Sequence, residues 1–456
     1  MIEPGAIETA AELTARLENA PFSRWHTKAR IIVGTATFFD AFDALSLAFA
    51  LPVLIRLWHI SPTQSGLLIS SSYLGQLLGA LFFGAIAEKR GRIAGATAAT
   101  ALMSVMSLGC ALAGNFPILF AARFIQGIGV GGEVPIAAAY ISELSKSRGR
   151  GRFFMLYELI FPIGLMATGQ IGAWVVPAFG WQAMFLVGGI PGVIVTFLLA
   201  RLPESPRWLI SKGRFAEAEV IVRQIEASAK GTPVQVAPAP AAAITFAAPD
   251  KQRSRWSEVV SVSYRARTFI VWILWASAYF VTNSLNNWMP TLYNTVYHMG
   301  IRESLRAASM TNVVQVLVLI LCAFSIDKIG RRKWTVGSFI LGALALGILG
   351  FVGAAGVRNV MILGTLSYGI IGSVNAVLYL YTPEIYPTRM RAIGTGLATS
   401  WLRLASAIGP ALVGFMVAAN GIQSVFLMFA LTSVVGALAA TRMIETRAKR
   451  LEEIAV

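Results

Sequence analysis

The chain has 456 residues, of which 56% are hydrophobic and only 13% are charged, and its mean hydropathy is +0.67. Soluble chains carry about 25% charged residues, so this composition excludes an ordinary soluble globular protein. The net charge of +16 would suit nucleic acid only if it were gathered in a soluble region, and it is not.

Twelve apolar stretches recur along the chain, each near the roughly 20 residues that cross about 30 Å of hydrocarbon. They predict an all-α membrane protein whose twelve transmembrane helices lie at residues 29–57, 65–87, 93–113, 117–143, 153–176, 181–200, 268–296, 305–326, 334–353, 359–383, 392–417 and 422–442. The tail of residues 1–28 has no apolar core or cleavage site typical of a signal peptide. A second tail covers residues 443–456.

The longest loop, residues 201–267, separates two six-helix bundles, residues 29–200 and 268–442. Surface helices are expected near its start. Its middle, "GTPVQVAPAPAAAITFAAPD", is rich in Ala and Pro, which predicts an unstructured segment.

Lys and Arg concentrate in the tails and in the even-numbered loops between helices. The odd-numbered loops hold only Arg56, Arg302, Arg306 and Arg358. By the positive-inside rule, both termini are cytoplasmic. We therefore expect a multi-pass plasma-membrane protein, in bacteria one of the inner membrane, whose basic loops contact lipid and not nucleic acid.

The two halves repeat one another in sequence. "GAIAEKRGR" begins at Gly84 and "AFSIDKIGRRK" at Ala323, 239 residues later. "YISELSKSRGRGR" at Tyr140 is answered by "YTPEIYPTRMRAIG" at Tyr381, 241 residues later. A duplicated six-helix unit predicts a secondary transporter that binds its substrate near the midplane, between the halves.

These motifs resemble those of the major facilitator superfamily over nearly the whole chain. "GAIAEKRGR" is similar to the loop signature G-x-x-x-D-R-x-G-R-R, with Glu88 in place of Asp, and "RFIQGIGVGG" to the fourth-helix signature R-x-x-x-G-x-G-x-G. "PESPRWL" and "YTPEIYPTRMRAIGTG" resemble the sugar-porter and organic-ion branches. The resemblance implies a monomeric carrier that works by alternating access.

Departures from the motifs separate the branches. The seventh helix, "YFVTNSLNNWMPTLY", lacks the Gln-Gln-x-x-Gly stretch of sugar porters, and "IETRAKRLEE" only partly matches their C-terminal signature. "GGEVP", "NNWMPTLY" and the Asp-x-x-Asp of the first helix are more similar to bacterial nicotinate and aromatic-acid proton symporters. The resemblance therefore favours an aromatic acid over a sugar.

Six ionisable residues are predicted at depth in the helices: Asp40, Asp43, Arg123, Glu133, Glu158 and Arg403. A charge at the bilayer centre costs about 3 kcal/mol or more, so such residues are either paired or functional. With a rise of 1.5 Å per residue, Asp43 lies one turn beyond midplane, and Arg123 lies roughly 9 Å below the outer edge. These depths predict a salt bridge between them.

The resemblance implies that Asp43 is the proton-coupling carboxylate and Arg123 its partner, with a permanent structural ion pair as the alternative. Asp40 lies on nearly the same helix face and can share the proton with Asp43. Asp40 and Glu133 are therefore proton-coupling candidates as well. Asp40 could instead hydrogen-bond the substrate or brace the helix, and Glu133 could instead be a buried helix contact. Glu158 is left between a substrate contact and a buried helix contact.

Arg403, in "SWLRLASAIGP", is the candidate anion-binding residue. It lies about twelve residues from the cytoplasmic end of its helix and hence near the midplane. Its planar guanidinium suits a carboxylate, and the position resembles one where organic-anion carriers have arginine. A structural bridge to Glu158 is the alternative.

Aromatic and amide side chains complete the predicted pocket, because small-molecule sites are mostly apolar with a few convergent polar groups. The candidates are Phe42, Tyr73, Tyr157, Glu158, Trp275, Tyr279, Asn283, Asn287, Asn375, Tyr379 and Trp401. Asn283 follows Asp43 by 240 residues, so the repeat makes it the counterpart of that acid.

Charged residues at the cytoplasmic helix ends form a third set. The resemblance implies that they form networks that close the inner side, although they could instead only set topology. They are Glu88, Arg92, Glu143, Arg152, Asp327, Arg331, Glu384 and Arg391.

The sequence has no Walker loop, Ser/His/Asp set or metal-ligand spacing, so we expect no enzyme activity, cofactor or metal. It predicts proton-coupled symport of a small organic anion, most closely an aromatic monocarboxylate such as nicotinate, with the substrate, protons and the bilayer as partners. The alternatives are a proton-coupled sugar or polyol porter and a non-transporting receptor on a transporter fold.

Overall fold

The computed structural model describes residues 4–144, 159–228, 256–351, 356–386 and 390–447. These are helical nearly throughout. The helices are α1 (Pro4–Asn19), α2 (Arg24–Trp58), α3 (Pro62–Arg90), α4 (Arg92–Ala111), α5 (Phe116–Leu144), α6 (Ile160–Phe179), α7 (Gln182–Ala200), α8 (Pro206–Ser211), α9 (Phe215–Ser228), α10 (Arg265–Thr295), α11 (Ile301–Ile329), α12 (Arg331–Phe351), α13 (Val357–Glu384) and α14 (Arg391–Thr441). A 3-10 turn, Trp256–Val260, precedes α10, and a π turn, Val360–Gly364, lies within α13.

Eleven helices of the described residues are long and apolar enough to cross a membrane. The last of them, α14, is two helices in one, because Gly421 has the non-helical angles φ 76° and ψ 179°. Residues 391–420 and 422–441 are therefore two separate helices, which agrees with the predicted boundary at residues 418–421. The all-α membrane fold is confirmed. The start of the predicted fifth segment lies outside the described residues.

The outer surface of the bundle is apolar. Large side chains such as Leu81, Phe324 and Leu344 are exposed, whereas Asp40 and Arg123 are buried. This inversion of the soluble pattern is expected where lipid surrounds the helices and charges face the interior of the bundle.

Glycines set the spacing of α3 and α5, which lie backbone against backbone. A methyl group on Gly127 of α5 would lie 2.1 Å from the carbonyl oxygen of Ser72, and one on Gly131 would lie 2.2 Å from that of Gln76. Gly127 and Gly131 are one helical turn apart, so they share a face. The "GIGVGG" run is therefore explained by close helix packing, which in membranes depends on small residues.

We call helices α2 to α7 the first half and helices α10 to α14 the second half. The junctions α3–α4 and α11–α12 carry clusters of Lys and Arg on what we call the basic side; the opposite end is the far side. On the far side the halves touch directly, because a methyl on Gly66 would lie 2.5 Å from the carbonyl oxygen of Pro410, and one on Gly414 would lie 2.3 Å from that of Pro62. The far side is thus closed between α3 and α14.

Three short helices cover the basic end of the first half. Leu13 and Leu17 of α1 pack with Trp208 of α8 and Ile221 of α9 in one buried apolar cluster. The structure thus places surface helices within residues 201–228, while the Ala/Pro-rich middle of that loop lies outside the described residues.

Candidate functional site

Asp43 occupies a niche within the first half. Its side chain is 0% exposed, and its Oδ1 lies 2.8 Å from the hydroxyl oxygen of Ser107 on α4. A methyl on Gly188 of α7 would lie 2.5 Å from the same oxygen, so only glycine leaves room there for the carboxylate. The other oxygen, Oδ2, is buried and accepts no hydrogen bond from the described residues.

Arg123 contacts Asp43 through the backbone. One guanidinium nitrogen, Nη1, donates to the carbonyl oxygen of Asp43 at 3.1 Å and to Oε1 of Gln126 at 2.7 Å. The predicted salt bridge between the two side chains is therefore wrong. Ser107 binds the carboxylate, and the arginine binds the peptide group beside it. The two charges remain close enough to interact.

Asp40 and Glu133 are two further buried acids near Asp43, and the charges of Glu133 and Asp43 both act on Asp40. Thr37, one turn before Asp40, donates to Oε1 of Glu133 at 3.1 Å, which shows that this face of α2 meets α5. Both acids are buried, and each keeps one oxygen with no hydrogen bond among the described residues.

Arg403 on α14 is the basic group whose charge acts on Asp40. It lies in the second half, whereas Asp40 lies in the first, so this attraction crosses between the halves. No basic partner for Asp40 could be predicted from the sequence. In the structure, the charge of Arg403 acts on Asp40 from the opposite bundle, together with the like charges of Glu133 and Asp43.

The charge of Arg403 also acts on Tyr279 and Tyr379, which belong to an aromatic cluster. Trp275 stacks on Tyr279 with ring centroids 5.6 Å apart and meets Tyr379 edge-on at 4.7 Å. The indole N–H of Trp275 is satisfied by the hydroxyl of Thr382. The rings are thus held in a fixed arrangement beside a half-buried guanidinium.

The predicted amides are engaged by the protein. Asn283 donates to the hydroxyl of Ser406, and Asn375 donates to that of Thr282 at 3.3 Å. Asn287 donates to the hydroxyl of Tyr73, across the halves, at 3.0 Å.

Two predicted pocket residues lie elsewhere. Trp401 is 37% exposed and packs against Trp272 with ring centroids 5.4 Å apart. It belongs to an exposed stripe on α14 at helical spacing, with Leu404, Ile408, Leu412 and Phe415. Trp401 therefore faces lipid, and its predicted place in the pocket is wrong.

Phe42 packs against Gly188 of α7, within the first half, and so is also removed from the pocket. Tyr157, Glu158 and Arg152 lie outside the described residues.

The predicted charge networks form at the basic side. In the first half Arg92 pairs with Glu88 and Glu143, both at 3.0 Å. In the second half Arg331 pairs with Asp327 at 2.9 Å and Glu384 at 3.4 Å. These ion pairs each join residues of one half.

Arg391 differs from the other predicted network residues. Its Nε donates to the backbone carbonyl of Tyr386 at 3.1 Å, so this contact is made to a peptide group.

Two further carboxylates were not among the residues predicted from the sequence. Glu204 accepts hydrogen bonds from the backbone N–H groups of Arg92 and Ile93, which begin α4, and Glu445 accepts those of Arg331 and Arg332, which begin α12. An anion at a helix N-terminus is stabilised by the free N–H groups and the helix dipole.

The repeat could have revealed both carboxylates, since they lie 241 residues apart, the spacing of Tyr140 and Tyr381. Burial raises the pKa of Glu204, while its backbone hydrogen bonds oppose that shift.

Comparison with known proteins relates the whole chain to membrane carriers. Residues 5–456 match the family model "Sugar (and other) transporter". The chain is 34% identical over 449 residues to the niacin transporter NiaP of Acinetobacter baylyi, covering 97% of this chain and 99% of the relative. It is 25% identical to the benzoate transport protein of the same species, covering 88% and 85%.

A solved structure shares the fold. The partially occluded inward-open conformation of the xylose transporter XylE from E. coli superimposes with a TM-score of 0.73 at 19% identity, covering 94% of this chain and 100% of that one.

Proposed function

Because this chain belongs to the sugar (and other) transporter family of the major facilitator superfamily, we propose that it carries an aromatic monocarboxylate such as nicotinate across the membrane together with a proton. The family consists of multi-pass membrane transporters, and the chain is one of these and not an enzyme. The substrate class and the coupling are the proposal.

The observation that carries the proposal is Arg403, a half-buried guanidinium beside an aromatic cluster. A carboxylate can bind its planar fork through two charge-assisted hydrogen bonds, and an aromatic ring can pack against Tyr279 and Tyr379. An uncharged sugar would use neither the charge nor the fork. The names of the niacin and benzoate relatives support the same class of substrate.

Asp40 gives the coupling a physical basis. In the absence of substrate, the charge of Arg403 acts on the carboxyl group of Asp40. When Asp40 is protonated, the guanidinium is free to bind the carboxylate of the substrate, and the buried site carries one negative charge instead of two. Proton and anion binding then favour each other, as linkage requires.

The resemblance to proton-coupled carriers assigns Asp43 and Arg123 to the proton-coupling site as well. The carboxylate is held by Ser107 and lies near, but not on, the guanidinium. Neutralising it would weaken the hold of Arg123 on this part of α2.

The closed far side suits one end state of alternating access. By the positive-inside rule the basic side is cytoplasmic, so the contact between α3 and α14 lies on the outward side. Opening the far side must separate Gly66 from Pro410 and break the contacts between α3 and α14.

Transport into proteoliposomes tests the proposal. With an imposed pH gradient, nicotinate and benzoate should accumulate, whereas a hexose and an organic cation should not. Arg403→Ala should raise the nicotinate Kd by about 100-fold, since it removes charge-assisted hydrogen bonds worth about 3 kcal/mol. Asp43→Asn should abolish gradient-driven accumulation.

Three results would count against the proposal. Hexose uptake that is unaffected by Arg403→Ala would identify a sugar porter. Nicotinate binding without flux would identify a receptor. Full accumulation by Asp43→Asn would remove Asp43 from the coupling site.

A further inference from the structure

Tyr73 and Asn287 form a buried hydrogen bond between the two halves of the protein. Tyr73 is on α3, Asn287 is on α10, and the amide Nδ2 lies 3.0 Å from the phenol oxygen. Both residues are buried. Since a buried donor or acceptor left without a partner is unfavourable, this bond favours the state in which α3 and α10 stay together.

On the first-half side, Tyr73 lies next to the proton site. Its neighbour Ser72 touches Gly127 of α5, and Arg123 lies one turn before Gly127 on the same helix. The charge of Arg123 acts on Tyr73, and the same guanidinium donates to the carbonyl oxygen of Asp43. One residue therefore separates Tyr73 from the Asp43 peptide.

On the second-half side, Asn287 leads to the anion site. Its Nδ2 also donates to the backbone oxygen of Asn283 at 2.8 Å, and the side chain of Asn283 donates to Ser406. Ser406 and Arg403 are three residues apart on α14 and so share a helix face. Hydrogen bonds therefore connect Tyr73 to Ser406 through Asn287 and Asn283. The charge of Arg123 acts on one end of this series, and Arg403 shares a helix face with the other end.

We infer that the Tyr73–Asn287 hydrogen bond links protonation in the first half to the affinity of the Arg403 site in the second, with both residues acting as positioning residues. The inference rests on the proposed function and deepens it. Protonation of Asp43 changes the position of Arg123, Tyr73 moves with the packed pair α3 and α5, and Asn287 transmits the change to α10 and α14. The bond must break when the far side opens, so it is present in only one of the two end states. It therefore stabilises that end state relative to the other.

The test measures the nicotinate Kd of the full-length protein in nanodiscs at pH 5.5, 6.5 and 7.5. Wild type should show a Kd that rises with pH, by up to about tenfold per unit for one linked proton. Tyr73→Phe and Asn287→Leu should each reduce this rise to about threefold per unit or less. The double variant should match the single variants, because all three lack the same bond.

Gln170→Ala is the matched control. Gln170 Nε2 contacts the backbone oxygen of Ser309, also across the halves, at 3.5 Å, but belongs to neither site. Its Kd should rise with pH as in wild type.

The outcomes are distinguishable. A wild-type rise that persists in both Tyr73→Phe and Asn287→Leu overturns the link alone. If the rise of the Kd with pH is flattened equally in Gln170→Ala, any loosening of the far side is enough to flatten it, and the link is overturned too. A wild-type protein that binds no nicotinate, or binds it equally at all three pH values, overturns the proposed function and the link together. Tyr73→Phe keeps the ring and loses one oxygen, and its elution as a single species would exclude misfolding.

Discussion

Gly127→Ala perturbs the contact on which both candidate sites depend. The added methyl would lie 2.1 Å from the carbonyl oxygen of Ser72, whereas ordinary contact begins at 3.4 Å. The backbones of α3 and α5 would have to separate by roughly 1.3 Å, which forfeits a quarter or more of the dispersion energy along the interface. Overpacking of this kind costs typically 1–3 kcal/mol, and the absence of any flexible side chain at the contact places this case at the upper end.

The assay is thermal unfolding of purified protein in detergent, followed by nicotinate accumulation in proteoliposomes. A loss of about 3 kcal/mol should lower the unfolding midpoint by about 6 °C or more for a six-helix unit. Accumulation should fall as well, because the separation moves Arg123 away from Tyr73. Gly84→Ala on α3 is the control, since a methyl there meets nothing within 4 Å, and its midpoint should be unchanged or slightly higher. If Gly127→Ala has the midpoint and accumulation of Gly84→Ala, the glycine motif does not act through close packing of α3 and α5.

Three further substitutions test other parts of the structure. Arg403→Lys keeps the charge but loses the planar fork, so the nicotinate Kd should rise by about tenfold in a radioligand binding assay; an unchanged Kd would argue against bidentate recognition. Glu445→Gln removes the charge that caps α12, so the unfolding free energy should fall by about 1 kcal/mol, and no change in the thermal midpoint would contradict the capping role. Trp401→Leu should leave the nicotinate Kd within about twofold of wild type, because Trp401 faces lipid with Leu404; a Kd raised tenfold would return Trp401 to the pocket.

The depth of the buried charges could be predicted from the sequence, but the atoms that bind them could not. Counting residues along α2 and α5 correctly predicts that Asp43 and Arg123 lie close together. Whether the carboxylate or the peptide oxygen meets the guanidinium depends on Ser107 of α4. The sequence pattern does not give the rotation of α4 relative to α2. Which oxygen of Asp43 meets the guanidinium is therefore decided by tertiary packing.

Other features could have been predicted from the sequence pattern. The exposed face of α14 follows the helical period through Trp401, Ile408 and Phe415, and the order of these residues alone predicts a lipid-facing stripe. The repeat of 241 residues likewise pairs Glu445 with Glu204. The partly matching C-terminal motif still provides the carboxylate that the helix N-terminus requires, although the rest of the signature is lost.

The two acids of the first helix differ in what surrounds them, and this difference bears on their roles. Asp43 contacts α4 and α7, which belong to its own half, so these contacts persist if the halves move as rigid bodies. The charge of Arg403 acts on Asp40 from the other half, whereas those of Glu133 and Asp43 act on it from its own half, so only the influence of Arg403 changes when the halves move. A carboxylate with a constant environment keeps a constant preference for its proton, whereas one that loses a cationic neighbour binds the proton more tightly. In the proposed mechanism, alternating access therefore acts on Asp40 directly, and reaches Asp43 through Arg123 and Tyr73.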